Sequence, residues 1–260
     1  MKKGTIALTV LAAGFLGIAA IAAWLALSFT PSNPLDGSNQ LVLVLATTAR
    51  SNKAVLQFFD RDGDTWRFSF SCSAVIGRNG VAWGRGLHSD RDRTDGDPVK
   101  VEGDGASPQG AFPLVHAYGY PSPTQVRISF PYTQSGPDLI CCDDPGSRYY
   151  NEIVNVTGKK LDPARLPSHE KMLRSDDLYK YAVLVGHNTR RPKPGAGSCI
   201  FIHLWRNFNS PTAGCTAISE GDMLTLLSEL DIDKNPVMVL LTRRNYLRLR
   251  DEWGLPEVTI

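Results

Sequence analysis

The sequence predicts a mainly β domain with a few peripheral helices, preceded by one N-terminal hydrophobic helix. Three observations carry that expectation. Short runs of alternating or β-branched apolar residues recur along the chain, as in strands half or wholly buried in a sheet. The 23 Gly and 17 Pro favour turns over long helices. Only two stretches after the N-terminus combine helical periodicity with a start or stop signal.

The N-terminal helix is read from residues 5 to 30, TIALTVLAAGFLGIAAIAAWLALSFT, which carry no charge. As a helix they would extend roughly 39 Å at about 1.5 Å per residue, enough to cross a bilayer. A cleavable signal peptide has a shorter apolar run, about 7 to 15 residues, and no strong small-x-small site follows, although Ala26-Leu27-Ser28 is passable. An uncleaved signal anchor is therefore favoured over a signal peptide. Lys2 and Lys3 predict a cytoplasmic N-terminus, which leaves the rest of the chain extracytoplasmic and anchored to the inner membrane. Residues 31 to 40 read as a linker, and 41 to 260 as one domain.

Strands are expected at 41 to 47 (LVLVLAT), 54 to 59 (AVLQFF), 65 to 70 (TWRFSF), 125 to 130 (QVRISF), 181 to 186 (YAVLVG), 199 to 205 (CIFIHLW) and 237 to 242 (VMVLLT). Asp62-Gly63 marks a hairpin turn between the second and third, and is preferred to a calcium loop. Residues 86 to 110 form a long polar connection. Aligned as an EF-hand on Gly96 and Glu102, it would put Arg91 and Arg93 at ligand positions, so a mobile surface loop near a site is expected instead. ISEGDMLTLLSEL predicts a helix, with Ser219 and Asp222 as a capping box and Met223, Leu226, Leu227 and Leu230 on one face. Residues 243 to 253 predict a second helix, closed by Gly254 and Pro256.

Charge and cysteine content narrow the function. Of 28 basic residues two are Lys2 and Lys3, leaving 26 against 26 acidic residues, so no nucleic-acid footprint is present. Arg243, Arg244, Arg248 and Arg250 are followed at once by Asp251 and Glu252 and read as a solvated helix face. Five cysteines in a compartment that permits disulfides predict one thiol left over. A bond between the adjacent Cys141 and Cys142 would be strained, so one of them is expected to pair with Cys72 or Cys199. No CxxC spacing occurs and the five histidines are scattered, so neither a metal nor a cofactor is expected.

The chemistry centres on IFIHLWRNFNSPTAGCTAIS, residues 200 to 219. A cysteine is a good nucleophile only as thiolate, and its ordinary pKa of about 8.5 leaves it protonated unless a base stands beside it. His203 is the nearest candidate base for Cys215. It sits in a strand in which Ile200 and Ile202 face one way and Phe201 and His203 the other. Thr212, Ala213 and Gly214 are small enough to let a substrate carbonyl approach the N–H groups around Cys215, as an oxyanion hole requires. By itself this spacing fits a packed strand and an inert thiol more often than a catalytic pair.

The wider sequence resembles a family. SPQGAFPL (107 to 114) is similar to the TPxGxFxI motif of the YkuD-type L,D-transpeptidases, and HLWRNFNSPTAGC to their His...S/TxGC motif. IGRNG, KVEGDGASPQGAFPL, CDDPGSRYYN, MLRSDDLYKY, GAGSCIFIHLW and EWGLP resemble, in order, the branch of that family with the HxWR variant. The resemblance implies a YkuD-like mixed β-sandwich or barrel and a peptidoglycan cysteine acyltransferase. Cys215 would be the nucleophile and His203 its base, with the carbonyl of Leu204 orienting the ring and the N–H groups of Gly214 and Cys215 stabilising the oxyanion. The thiolate would attack the carbonyl of residue 3 of a stem tetrapeptide and expel the terminal D-alanine. An amine of a neighbouring stem would then resolve the thioester, giving a 3-3 cross-link.

Many members follow the cysteine with a hydrophobic residue and an arginine, where this chain has Thr216-Ala217. Arg206 is the candidate for holding a substrate carboxylate, against a surface ion pair. Ala213 stands where a second histidine would make a two-histidine site, and His187 is expected to be structural. The competing classes are a sortase-like or hydrolytic cysteine enzyme of the wall and an inactive, membrane-anchored wall-binding module. An NlpC-type peptidase is disfavoured because its cysteine precedes its histidine.

Overall fold

The computed structural model describes residues 33 to 126 and 128 to 259. The segment read as membrane-inserted, residues 5 to 30, lies outside them. Among the described residues no helix is long and apolar enough to cross a membrane.

The domain is mainly β. Its strands are β1 (Gln40–Ala46), β2 (Lys53–Asp62), β3 (Thr65–Val75), β4 (Val81–Trp83), β5 (Ser107–Gly119), β6 (Tyr132–Gln134), β7 (Leu139–Cys142), β8 (Glu152–Asn155), β9 (Glu170–Lys171), β10 (Tyr181–Val185), β11 (Phe201–Leu204), β12 (Thr216–Ile218) and β13 (Val237–Thr242). Two α-helices follow late in the chain, α1 (Glu220–Glu229) and α2 (Arg243–Trp253). The main sheet runs β10-β11-β12-β3-β2-β1-β13-β5-β4, and a further pairing of β10 with β5 closes eight of these strands into a barrel. β8, β7 and β9 form a separate three-stranded sheet.

The wholly apolar runs are central strands because both of their faces are covered. In β1, Val42, Val44 and Ala46 join the barrel interior, while Leu41, Leu43 and Leu45 pack with Tyr246, Leu249 and Trp253 of α2. β13 divides the same way, Met238 and Leu240 inward and Val237, Val239 and Leu241 toward that helix. The β2–β3 hairpin turns through Gly63 and Asp64, with Asp62 paired to Thr65 and Gly63 at φ 60°. α1 starts where Ser219 accepts from the N–H of Asp222, and its Met223, Leu226 and Leu227, with Leu230 just beyond, join the interior cluster. On α2, Arg243, Arg244 and Arg248 are exposed.

Four expectations change. Among the described residues of 125 to 130 no strand forms; Ser129 makes one isolated bridge to Asp231, and Pro121, Pro123 and Pro131 remove ladder donors around it. Asn33 to Gln40, expected in the linker, packs on the domain: Leu35 is 1% exposed and Gln40 opens β1. The polar connection after Gly86 is tied down by Lys100, whose ammonium pairs with Asp104 at 2.5 Å, and from Ser107 it is β5. Finally, three cysteines are free, Cys72, Cys142 and Cys215, and the one disulfide is Cys141–Cys199. Successive strand residues face opposite ways, so of the two adjacent cysteines in β7 only Cys141 reaches Cys199.

Candidate active site

β11 and β12 are parallel neighbours, with Ile202 opposite Thr216 and His203 opposite Ala217. Cys215 immediately precedes β12, so in this register it stands across from Phe201. The imidazole and the thiol therefore project from the same face, one strand over and two residues along. With strands about 4.8 Å apart and a rise of about 3.3 Å per residue, their backbones are about 8 Å apart, which two inclined side chains can span. Both line one cavity of about 200 Å³, with Glu170, Arg174, Tyr179, Arg206 and Thr212.

His203 is 7% exposed. Its Nδ1 lies 2.8 Å from the carbonyl oxygen of Leu204, so Nδ1 carries the proton and Nε2 is left as the basic nitrogen. The ring meets Tyr179 edge to face, with centroids 5.2 Å apart. Burial lowers the imidazole pKa to about 4, against the opposing effect of the Leu204 carbonyl.

Cys215 is 8% exposed. Its Sγ accepts from the N–H of Phe201 at 3.4 Å and donates to the carbonyl of Cys199 at 3.6 Å. Burial, reinforced by the nearby Glu170 carboxylate, raises the thiol to about 12, while the hydrogen bond from the Phe201 N–H and the charge of Lys100 oppose that rise. Thiol and imidazole are thus both neutral at rest, and the thiol proton is directed at a backbone carbonyl rather than at the ring.

The turn before the thiol is knit by its own side chains. Thr212 Oγ1 accepts from the N–H of Gly214 at 3.1 Å and donates to the carbonyl of Cys215 at 2.6 Å. Ser107 Oγ donates to that same carbonyl at 3.0 Å. Thr212, read as a substrate contact, therefore shapes the turn, and the Gly214 N–H expected in the oxyanion hole is engaged by it in this conformation. Arg206, read as a carboxylate binder, is 60% exposed along its side chain and pairs with Asp176 at 2.8 Å. His187 is held at both nitrogens by backbone groups, Nδ1 accepting from Arg85 and Nε2 donating to Ala196.

One wall of the cavity is built from residues that no spacing or periodicity marks in the sequence. Glu170 accepts from the Tyr179 hydroxyl at 2.5 Å, and burial raises its carboxyl above the usual range. Arg174 holds Asp176 through Nε and Nη2 at 2.8 and 2.7 Å and lies over the Tyr179 ring. That hydrogen bonding brings Asp176 down to about 2. In the sequence the stretch MLRSDDLYKY offers a family likeness and a run of charges of both signs with tyrosines, but no apolar periodicity. Among the described residues no group of three or more His, Cys, Asp or Glu is placed to hold a metal.

No protein-family model and no curated protein matches the chain. Among solved structures it is similar to the helical cell shape determining protein Pgp2 from Campylobacter jejuni, at 14% identity and a TM-score of 0.37. The alignment covers 79% of this chain and 48% of that one, so the chain spans about half the length of that protein.

Proposed function

We propose that the chain is a peptidoglycan L,D-transpeptidase of the YkuD type, an acyltransferase with Cys215 as nucleophile and His203 as general base. It would act outside the inner membrane, held there by residues 5 to 30. The observation that carries this reading is the common cavity of His203 and Cys215, with Nδ1 of the histidine bonded to Leu204 so that Nε2 remains basic. In the proposed reaction the Cys215 proton passes to His203 Nε2 as sulfur attacks the carbonyl of residue 3 of a stem tetrapeptide. The tetrahedral intermediate collapses to a thioester, and the departing D-alanine amine takes the proton from the imidazolium. A stem amine then attacks the thioester, giving its proton to His203, and the thiol is restored as the new amide forms.

Because both groups are neutral at rest, proton transfer accompanies attack and does not precede it. Rotation of the Thr212 hydroxyl side chain would free the Gly214 N–H, which with that of Cys215 would receive the oxyanion. A second reading, an inactive wall-binding module, draws support from the bonds of the Cys215 thiol to Phe201 and Cys199 instead of to the ring. Intact-protein mass spectrometry after incubation with a stem tetrapeptide separates the two. An adduct on Cys215 with release of D-alanine is expected, lost in Cys215→Ala; an unmodified protein would favour the binding module.

A further inference from the structure

We propose that the β4–β5 and β10–β11 connections together form a second binding site, for a phosphate ester. The phosphate would sit among Arg85, Arg93, Arg190 and Lys193, and an apolar body would lie along Val99 and Val101. The site does not depend on the acyl-transfer reading, because no residue that lines it lines the cavity of Cys215.

Two cavities of about 190 and 330 Å³ adjoin here, and Arg85 and Asp90 line both. Arg190 lines the smaller, Arg93 and Lys193 the larger. Among the described residues none of these four cations forms an ion pair. Lys100, on the wall of the larger cavity, is already answered by Asp104. Against the four cations stands one carboxylate, that of Asp90. Like charges gathered without partners repel, and a bound anion relieves that cost. A carboxylate would bring a single charge. A phosphate monoester brings about −1.5 to −2 at pH 7 and three acceptor oxygens, which guanidinium groups approaching from different sides can share. The donors are already fixed in place. Asn188 Oδ1 accepts from Arg85 Nε at 3.1 Å and from the Lys193 N–H at 2.9 Å, tying the two connections together. Arg93 Nη1 is held by the carbonyl of Asp97 at 3.1 Å. Both Nη groups of Arg85, and Nε and Nη2 of Arg93, have no partner among the described hydrogen bonds. Trp83, which also lines the larger cavity, is 2% exposed, and its indole N–H has no partner among the described residues. On the same cavity Val99 and Val101 are 58% and 51% exposed. An alkyl body would cover them, at about 25 cal/mol per Å² of apolar area removed from water, which inorganic phosphate cannot do.

The test titrates the full chain, held in nanodiscs of zwitterionic lipid, with butyl phosphate, methyl phosphate and pentanoate in a calorimeter. Butyl phosphate is expected to bind most tightly, with about a tenfold loss when carboxylate replaces phosphate. Arg85→Gln and Lys193→Gln, both at exposed positions, should each weaken butyl phosphate by about tenfold. Alkylation of Cys215 by iodoacetamide should stay at the wild-type rate in both, which separates loss of the site from loss of the fold. Repeating the titration in discs that contain phosphatidate distinguishes the two sources of such a head: a lost isotherm assigns it to a membrane lipid, a retained one to a soluble ester. No binding of butyl phosphate up to about 10 mM, or variants that bind it as the wild type does, would overturn the site. Equal affinity for pentanoate would overturn the choice of phosphate, and equal affinity for methyl phosphate the role of the two valines.

Discussion

At the scale of single residues, the site places a thiol and an imidazole in one cavity and keeps both uncharged. Burial raises one to about 12 and lowers the other to about 4, so the thiolate–imidazolium pair is the disfavoured form in the free protein. This gives a measurable signature. The rate at which iodoacetamide alkylates Cys215 in the free protein should climb with pH and show no plateau through about pH 9, because the reactive thiolate is still a minor species there. A preformed ion pair would instead give a flat profile from weakly acidic pH upward, and that result would refute the neutral resting site. Substitution separates chemistry from folding. Cys215→Ala removes one buried sulfur, so acylation should vanish while stability changes by about 1 kcal/mol. His203→Ala should slow acylation by about 10² to 10⁴, read from the same mass-spectrometric time course.

At the scale of elements, the small β8-β7-β9 sheet carries Glu170 on β9, and one covalent bond ties it to the segment leading into the strand that carries His203. Cys141 of β7 is joined to Cys199, two residues before β11, across a sequence separation of 58. By chain entropy such a loop contributes about 4 kcal/mol, or about 10 °C in Tm for a domain of this size. The double variant Cys141→Ser, Cys199→Ser should lose that much in a thermal melt. An unchanged Tm would mean that the small sheet is held by packing alone. Another element constraint sits in SPQG. Gly110 in β5 has φ 136°, and a Cβ there would lie 2.0 Å from the ring of His88. That ring is fixed by the N–H of Ala111 and the carbonyl of Gly84 and packs against Trp83, Phe112 and Trp253. The glycine of this motif therefore answers to packing: Gly110→Ala should destabilise the fold by roughly 2 to 4 kcal/mol in denaturant unfolding.

At the scale of the whole molecule, what could be read in the sequence follows from how each strand is buried. β1, β13 and the β10–β11 pair were legible because central strands covered on both faces must be apolar throughout. β5 was hidden because it begins with Ser107-Pro108-Gln109-Gly110, polar or small residues buried by β13 and β4 rather than by their own hydrophobicity. His203 and Cys215 stood out because few residue types can perform nucleophilic chemistry. Glu170 and Tyr179 did not, because sheet pairing and tertiary packing, not sequence spacing, bring them to the cavity. The same burial predicts how the fold responds to acid. His88 and His187 each accept a backbone N–H at Nδ1 and donate from Nε2, and His203 donates from Nδ1 inside the cavity. All three are matched to a neutral ring. A proton on Nδ1 of His88 or His187 would face an N–H donor, and burial lowers the pKa of each ring, to about 3 for His187 and about 4 for His203. A group with a depressed folded pKa contributes fully above its unfolded value, about 6.5 for histidine, and that contribution is lost as pH falls through the folded value. Tm should therefore hold above about pH 6.5, decline progressively below it, and continue to fall through pH 4 toward pH 3. The His187→Gln variant, which keeps an acceptor and a donor but cannot be protonated in this range, should show a shallower decline than the wild type between pH 6 and 4. Parallel profiles for the two proteins would mean that His187 does not drive acid unfolding.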